Sequence, residues 1–192
     1  GGQGNAVEIL AEKVTFTGCQ VRNWGKDLNQ LDAGIFVARE AEGAVVSNNR
    51  LQGPAFGVWL DATPNVTVSN NHIRGDVSLR SQDRGNGIHL FNTTGALIEG
   101  NDISETRDAI YIETANRNTI RGNVMSDLRY GIHYMYSMHN LLENNVTRGT
   151  RTGYALMQSK YLKVFNNRSE NDENYGILMN FITNSELRNN VV

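Results

Sequence analysis

Residues 131–145 read GIHYMYSMHNLLENN, and the stretches before and after them follow the same plan. Residues 109–123 read AIYIETANRNTIRGN, and residues 153–167 read GYALMQSKYLKVFNN. Each stretch opens with a small residue and an alternating apolar run, and each closes with an asparagine 14 residues later. The middle of the chain is therefore an internal repeat with a period of 22 residues, which is typical of a solenoid.

The closing asparagine recurs along most of the chain. Its positions are Asn49, Asn71, Asn101, Asn123, Asn145, Asn167 and Asn190, with steps of 22, 30, 22, 22, 22 and 23 residues. Short alternating runs separated by turns leave no room for a helix in each repeat. The Leu-x-x-Leu-x-Leu run of a leucine-rich repeat is absent. We therefore predict an all-β fold, a right-handed parallel β-helix with three short strands in each coil of about 22 residues.

The asparagines themselves indicate how the coils are held together. The chain has 25 asparagines and 19 glycines, and both residue types favour tight turns. Stacked at one turn, the repeated asparagines should form a ladder whose amides pair backbone groups that burial would otherwise leave unpaired. Cys19 occupies the same position one repeat before Asn49, so we expect it to replace one position of the ladder as a small buried residue.

Composition limits the kind of molecule this is. The net charge of −2 provides no cationic field for nucleic acid or an anionic membrane, so neither partner is expected. No apolar run reaches about 18 residues, which argues against a membrane-spanning segment. Residues 1–192 are predicted to be a single domain and a piece of a longer chain, because the first residue is not methionine and the last lies within a strand.

Alternation in the strand that opens each repeat assigns side chains to two sides. Counted this way, Ile132 and Tyr134 point inward, whereas His133 and Met135 point outward. The outward residues of successive coils form an unusually aromatic and sulfur-rich column, and an exposed stripe of this kind usually marks a binding surface. We expect its aromatic part to be a partner-binding face, formed by Phe36, Trp59, His89, Phe91 and Tyr111.

A candidate metal site lies in the same column. His133 and Met135 share one outward face, and Met157 lies 22 residues beyond Met135, hence about 5 Å away on the next coil. Two thioethers and an imidazole form a soft, neutral ligand set that suits Cu(I) better than Zn²⁺, Mg²⁺ or Ca²⁺. Met138 and His139 follow at an exposed turn as additional candidate ligands. The alternative is a plain interaction surface, since methionine often fills such surfaces.

A rival interpretation is a carbohydrate-binding or polysaccharide-modifying β-helix of the lyase or epimerase kind. Aromatic side chains of the column would then stack on sugar rings, with the carboxylates of Asp61, Glu113 and Asp83 nearby. However, Asp61 and Glu113 fall two coils apart, about 10 Å, which is wide for an acid–base pair. We therefore predict that the protein is not an enzyme. A structural interaction domain without a small ligand is the third possibility.

Three segments of the chain resemble the NosD family. They are RGNGIHLFNTT at 84–94, RYGIHYMYS at 129–137 and GYALMQS at 153–159. The resemblance implies a periplasmic, non-enzymatic β-helix protein that belongs to the ABC-transporter system for maturation of nitrous oxide reductase. Its implied partners are the transporter's membrane and ATPase subunits, a copper-chaperone lipoprotein and the reductase itself. Applied to this chain, it implies that His133, Met135 and Met157 bind Cu(I) transiently.

Overall fold

The structure is a computed structural model that describes residues 2–192. The chain forms three parallel β-sheets, and a coil contributes one strand to each sheet. The first and second sheets have eight strands each, and the third has seven. Strands pair in parallel with the equivalent strands of neighbouring coils, so the chain forms a β-solenoid of about seven turns. The prediction of an all-β parallel β-helix with three short strands per coil is confirmed.

The strands of the first sheet are the longest. They are Val7–Ile9, Ala33–Val37, Phe56–Asp61, Ile88–Phe91, Asp108–Glu113, Tyr130–Met135, Thr152–Met157 and Tyr175–Asn180. Those of the second sheet are Thr15–Thr17, Val45–Ser47, Thr67–Ser69, Leu97–Glu99, Thr119–Arg121, Leu141–Glu143, Lys163–Phe165 and Glu186–Arg188. Those of the third sheet are Gln20–Arg22, Arg50–Gln52, His72–Arg74, Asp102–Ser104, Val124–Ser126, Val146–Arg148 and Arg168–Glu170.

The asparagine ladder runs along the turn between the second and third sheets. At each step the backbone N–H and the side-chain amide of one asparagine both donate to Oδ1 of the next. For Asn101 and Asn123 these two distances are both 3.0 Å. The same amide of Asn101 donates to the carbonyl of Val68 in the preceding coil at 2.9 Å. At its inner positions the ladder therefore joins three successive coils.

Cys19 occupies the first position of this ladder only through its backbone. Its N–H donates to Oδ1 of Asn49 at 2.9 Å, as an asparagine would. Its side chain, however, is half-buried rather than buried, and the thiol donates to the carbonyl of Thr17 at 3.4 Å. The expectation of a buried cysteine is wrong, because the thiol contacts only Thr17 of its own coil and makes no side-chain bond to another coil.

The inward residues of the three sheets form the core. In the first sheet Ile110, Ile132 and Tyr154 are fully buried in one stack, as alternation predicts. The coils approach closely where each of these strands begins. A Cβ added at Gly131 would lie 2.6 Å from the carbonyl oxygen of Gly153, so only a residue without a side chain fits there.

Longer loops leave the solenoid between the third and first sheets, at residues 23–32 and 75–87. The first loop folds over the outer side of the first sheet, where Leu28 and Leu31 pack against Phe56 and Trp59. The second contains a single 3-10 turn, Ser81–Asp83. No helix within residues 2–192 has the length and apolar character needed to cross a membrane.

Candidate functional site

The aromatic column on the outer side of the first sheet is largely covered. Trp59 and His89 are each only 5 % exposed, because the loop at residues 23–32 lies over them. Phe36, Phe91 and Tyr111 are half-buried. Contrary to the expectation of an open partner-binding face, Trp59 and His89 are not available to a partner in this structure.

The rings of this column pack on one another along the rod. The ring centroids of Trp59 and His89 are 4.1 Å apart, those of His89 and Tyr111 are 4.7 Å apart, and those of Tyr111 and His133 are 4.6 Å apart. Pairing of the strands sets this spacing, since His89 aligns with Tyr111 and Tyr111 aligns with His133. The column is therefore a continuous stack of rings over four coils.

A buried ionic cluster lies at the His133 end of the ring column. The carboxylate of Asp108 is 1 % exposed and accepts hydrogen bonds from Nε and Nη2 of Arg129 at 2.8 and 2.6 Å. It also lies 3.0 Å from Nδ1 of His133. Burial alone would raise the pKa of Asp108, but hydrogen bonds from His133 and Arg129 outweigh it and hold that pKa below its ordinary value. Asp108 is therefore ionised and keeps the Nδ1 proton of His133 directed toward it.

The Asp108–Arg129–His133 cluster was missed by the sequence reasoning. The sequence contains one indication of it, because arginines recur at positions 107, 129 and 151, one 22-residue period apart. Asp108 follows the first of these arginines directly. Counted from Ile110, alternation would place Asp108 inward, whereas its carboxylate contacts the outward-facing His133. The alternation rule thus fails at the first residue of the strand.

His89 has a second, separate set of polar neighbours. Its Nδ1 lies 3.3 Å from the side-chain amide of Asn86, and its Nε2 lies 3.5 Å from the carboxylate of Glu113. Burial lowers the pKa of His89, whereas the contact with His89 lowers the pKa of Glu113. Because burial has the larger effect on the imidazole, His89 is neutral near pH 7.

These pKa shifts predict a stability that falls in acid. The unfolded chain binds more protons than the folded one between the ordinary histidine pKa of 6.5 and the lower pKa of buried His89, so acidification through this window favours unfolding. Asp108 and Glu113 add to the loss below their ordinary values of 3.8 and 4.5. Urea unfolding at a series of pH values should show a free energy of unfolding that slopes downward as the pH falls. His89→Phe, which preserves the ring stack, should flatten it below pH 6.5, and an unchanged slope in this variant would contradict the assignment.

Met135 and Met157 are direct neighbours on adjacent coils. The two residues pair in register between the strands Tyr130–Met135 and Thr152–Met157, as the 22-residue period predicts. Both side chains are half-buried and face outward. His133 shares their face, but its ring is 8 % exposed, and its Nε2 is buried without a hydrogen-bond partner. The arrangement places two half-buried methionines in register on adjacent coils, two residues along the strand from an imidazole held by Asp108.

Met138 and His139 lie on the exposed turn that follows Met135. Met138 is 41 % exposed, and the His139 ring stacks on Tyr161 with centroids 4.7 Å apart and planes 1° apart. Within residues 2–192 no three His, Cys, Asp or Glu side chains gather into a metal-binding group.

The acidic residues do not assemble into a catalytic pair. Asp61 and Glu113 each align with Phe91, on opposite sides of it, so two coil spacings separate them as predicted. Asp83 lies in the 3-10 turn and pairs with Arg80 at 2.6 Å. These carboxylates provide no neighbouring acid and base for glycoside or uronate chemistry.

Comparison with known proteins identifies a family. The family model NosD, described as a periplasmic copper-binding protein, matches residues 69–192. A Pseudomonas aeruginosa protein named probable ABC transporter binding protein NosD is 60% identical over 192 residues, which cover 100% of this chain and 45% of that protein. A Stutzerimonas stutzeri protein of the same name is 54% identical over 191 residues, 100% of this chain and 44% of that protein. The chain thus spans less than half the length of these curated relatives.

Solved structures share the fold at low sequence identity. The enzymatically active domain of bacteriophage CBA120 tailspike protein 2 matches with a TM-score of 0.75 and 11% identity, over 99% of this chain and 33% of that one. A mutant of the periplasmic alginate epimerase AlgG matches with a TM-score of 0.63 and 12% identity, over 83% of this chain and 48% of that one. At such identities the likeness extends to the β-helix fold and not to the activity.

Proposed function

The chain belongs to the NosD family of periplasmic copper-binding proteins, and on this premise we propose that it binds Cu(I) transiently through His133, Met135 and Met157. The copper would be passed to nitrous oxide reductase while the metal sites of that enzyme are assembled. In this proposal the protein has no catalytic activity of its own and works beside an ABC transporter, as the names of its relatives suggest.

The observation that carries the proposal is the methionine pair. Met135 and Met157 align on adjacent coils with half-buried side chains, so both sulfurs can approach one ion from the outer surface. Thioethers are soft ligands without charge or a titrating proton, which suits Cu(I) and disfavours Zn²⁺ and Mg²⁺. Two ligands leave open coordination positions for a donor protein or an acceptor protein.

The Asp108–His133 contact supports a third ligand from the protein. In metal sites a ligating histidine commonly donates its other N–H to a carboxylate, which fixes the ring and its tautomer. Asp108 has this relation to Nδ1 of His133 at 3.0 Å, and Nε2 is left without a partner. The rings of Tyr111 and Tyr130 pack on this imidazole, so copper would meet the sulfurs first and His133 once these rings yield.

Ligand exchange is the mechanism that this geometry favours. A copper-chaperone lipoprotein would present Cu(I), and the two sulfurs would displace the chaperone's ligands one at a time. Met138 and His139 on the adjoining turn would supply further donors during the exchange. A rearrangement of the transporter's membrane and ATPase subunits would then favour release to the reductase. A site with few, exposed ligands suits rapid transfer better than storage.

An anaerobic Cu(I) titration against a competing chromophoric chelator tests the proposal. The double variant Met135→Leu, Met157→Leu preserves side-chain volume and removes both sulfurs, so the affinity for Cu(I) should fall by about 100-fold or more. His133→Phe should weaken binding by roughly 10-fold, since it removes one ligand of the set.

The matched control is Met125→Leu. Met125 is fully buried inside the solenoid and cannot reach the outer face, so this variant should bind Cu(I) like the original protein. Equal affinity in the Met135, Met157 double variant and in the Met125 control would refute the assignment of the site.

A further inference from the structure

A second candidate site is a cleft of about 280 Å³ on the outer side of the first sheet, next to the covering loop. Its walls include the residues Phe56, Arg84, Asn86, Arg107, Tyr111 and Arg129, together with Asp108 and His133 of the ionic cluster described above. This volume is at the lower end of small-molecule pockets, which begin at about 300 Å³. It suits one small molecule rather than a large cofactor.

The cleft carries positive charge that the protein does not neutralise. Of its three arginines, Arg129 is paired with Asp108. Arg84 donates to the carbonyls of Leu79 and Glu105 and touches no carboxylate. The guanidinium of Arg107 has no hydrogen bond or ion pair within residues 2–192, and its Nε is buried. A half-buried guanidinium without partners is costly, and an anion in the cleft would remove that cost.

A hydrogen-bond acceptor in the same cleft also lacks a partner. Asn86 is 7 % exposed, and its amide nitrogen faces Nδ1 of His89 at 3.3 Å. Its Oδ1 is buried and receives no hydrogen bond. A ligand that satisfies both groups must bring an anionic acceptor for Arg107 and a hydroxyl donor for Asn86. Inorganic phosphate, which carries P–O⁻ and P–OH groups near pH 7, can also satisfy both groups.

The remaining walls are aromatic. Tyr111 is half-buried, and the ring of Phe56 also lines the cleft with 8 % of the residue exposed, so the polar groups are bordered by aromatic carbon, which suits a ligand with one apolar face. We infer that the cleft binds a carboxylate-bearing sugar of the uronic acid class. Its carboxylate would lie on Arg107, and a hydroxyl would donate to Asn86. The cleft shares His133 with the proposed copper site but not the methionine pair, so binding of the sugar acid is measured on the copper-free protein.

The test compares D-galacturonate, D-galactose and inorganic phosphate as ligands, with binding measured by ligand-observed NMR and calorimetry. Galacturonate should bind at least about 10-fold more tightly than galactose, because only the acid brings an anionic acceptor that forms an ion pair with Arg107. It should likewise bind more tightly than phosphate. If galactose or phosphate binds as tightly as galacturonate, the inference is overturned.

Variants locate the site. Arg107→Gln should weaken galacturonate binding by about 10-fold or more. Arg107→Lys should bind galacturonate with an affinity between those of the original protein and Arg107→Gln, because lysine keeps the charge but lacks the planar guanidinium. Arg151→Gln is the matched control, since Arg151 holds the equivalent position two coils further along and lies outside this cleft. Without ligand, Arg107→Gln should melt no lower than the original protein. Unchanged binding in Arg107→Gln, or a lower melting temperature, contradicts the inference.

Discussion

Replacing Asn123 with alanine should lower the free energy of unfolding by about 3 to 6 kcal/mol. The Asn123 side chain is fully buried. Its Oδ1 accepts from the backbone and side-chain nitrogens of Asn101, and its amide donates to the carbonyl of Ile98 and to Asn145. Alanine leaves several of these buried groups unpaired at once, and each unpaired group costs about 1–3 kcal/mol.

Denaturant unfolding followed by circular dichroism measures this loss. Because whole domains are stabilised by only about 5–15 kcal/mol, this loss removes a large fraction of the stability and should shift the unfolding midpoint clearly. Asn174→Ala is the control, since this asparagine is exposed and its side chain donates no hydrogen bond within residues 2–192. A loss below about 1 kcal/mol for Asn123→Ala, or an equal loss in both variants, would show that the ladder does not carry stability.

Asp108→Asn should destabilise the protein by about 3–5 kcal/mol, the usual cost of removing one partner of a buried ion pair. The substitution preserves the shape of the side chain but leaves the guanidinium of Arg129 and the imidazole of His133 without their shared carboxylate. Chemical unfolding at pH 7 measures the effect. The Asp108→Asn substitution should also weaken Cu(I) binding, because the imidazole of His133 loses the contact that fixes its orientation.

A double-mutant cycle separates the ion pair from simple loss of packing. The double variant Asp108→Asn, Arg129→Gln should lose less unfolding free energy than the two single variants lose together, by about 0.5–3 kcal/mol. The exposed pair Glu99–Arg121 provides the comparison, with the same donor atom at 2.8 Å, and Glu99→Gln should leave stability unchanged within error. Strict additivity of the Asp108 and Arg129 changes would mean that the two residues act separately.

The sequence was sufficient to predict the parts of the structure that repeat. The 22-residue period places Met157 beside Met135 and Asn123 beside Asn145, because parallel pairing copies one coil onto another. Alternation likewise predicts the buried stack that contains Ile110 and Ile132. In both cases the same pattern recurs over many coils, so an error at one position does not change the result.

The features that occur once were not predictable in this way. Nothing in the repeat indicates that Leu28 and Leu31, in a loop inserted between coils, fold back over Phe56 and Trp59. The exposure expected for Trp59 was therefore wrong, although its outward direction was right. Asp108 was missed for a related reason, since it lies where the strand begins and the alternation rule no longer applies.

The stacking of coils also determines how the molecule should respond to mechanical tension. Beyond the loop at residues 23–32, which reaches over later coils, each coil contacts the coils before and after it, as in other solenoids, so a stretching force applied to the C-terminal coils loads the outermost of them first. That coil can detach while those behind it remain intact. Each detachment frees 22 residues in a regular coil, or about 70 Å of extended chain. The rod should therefore lengthen in a series of nearly equal steps, rather than rupture at once.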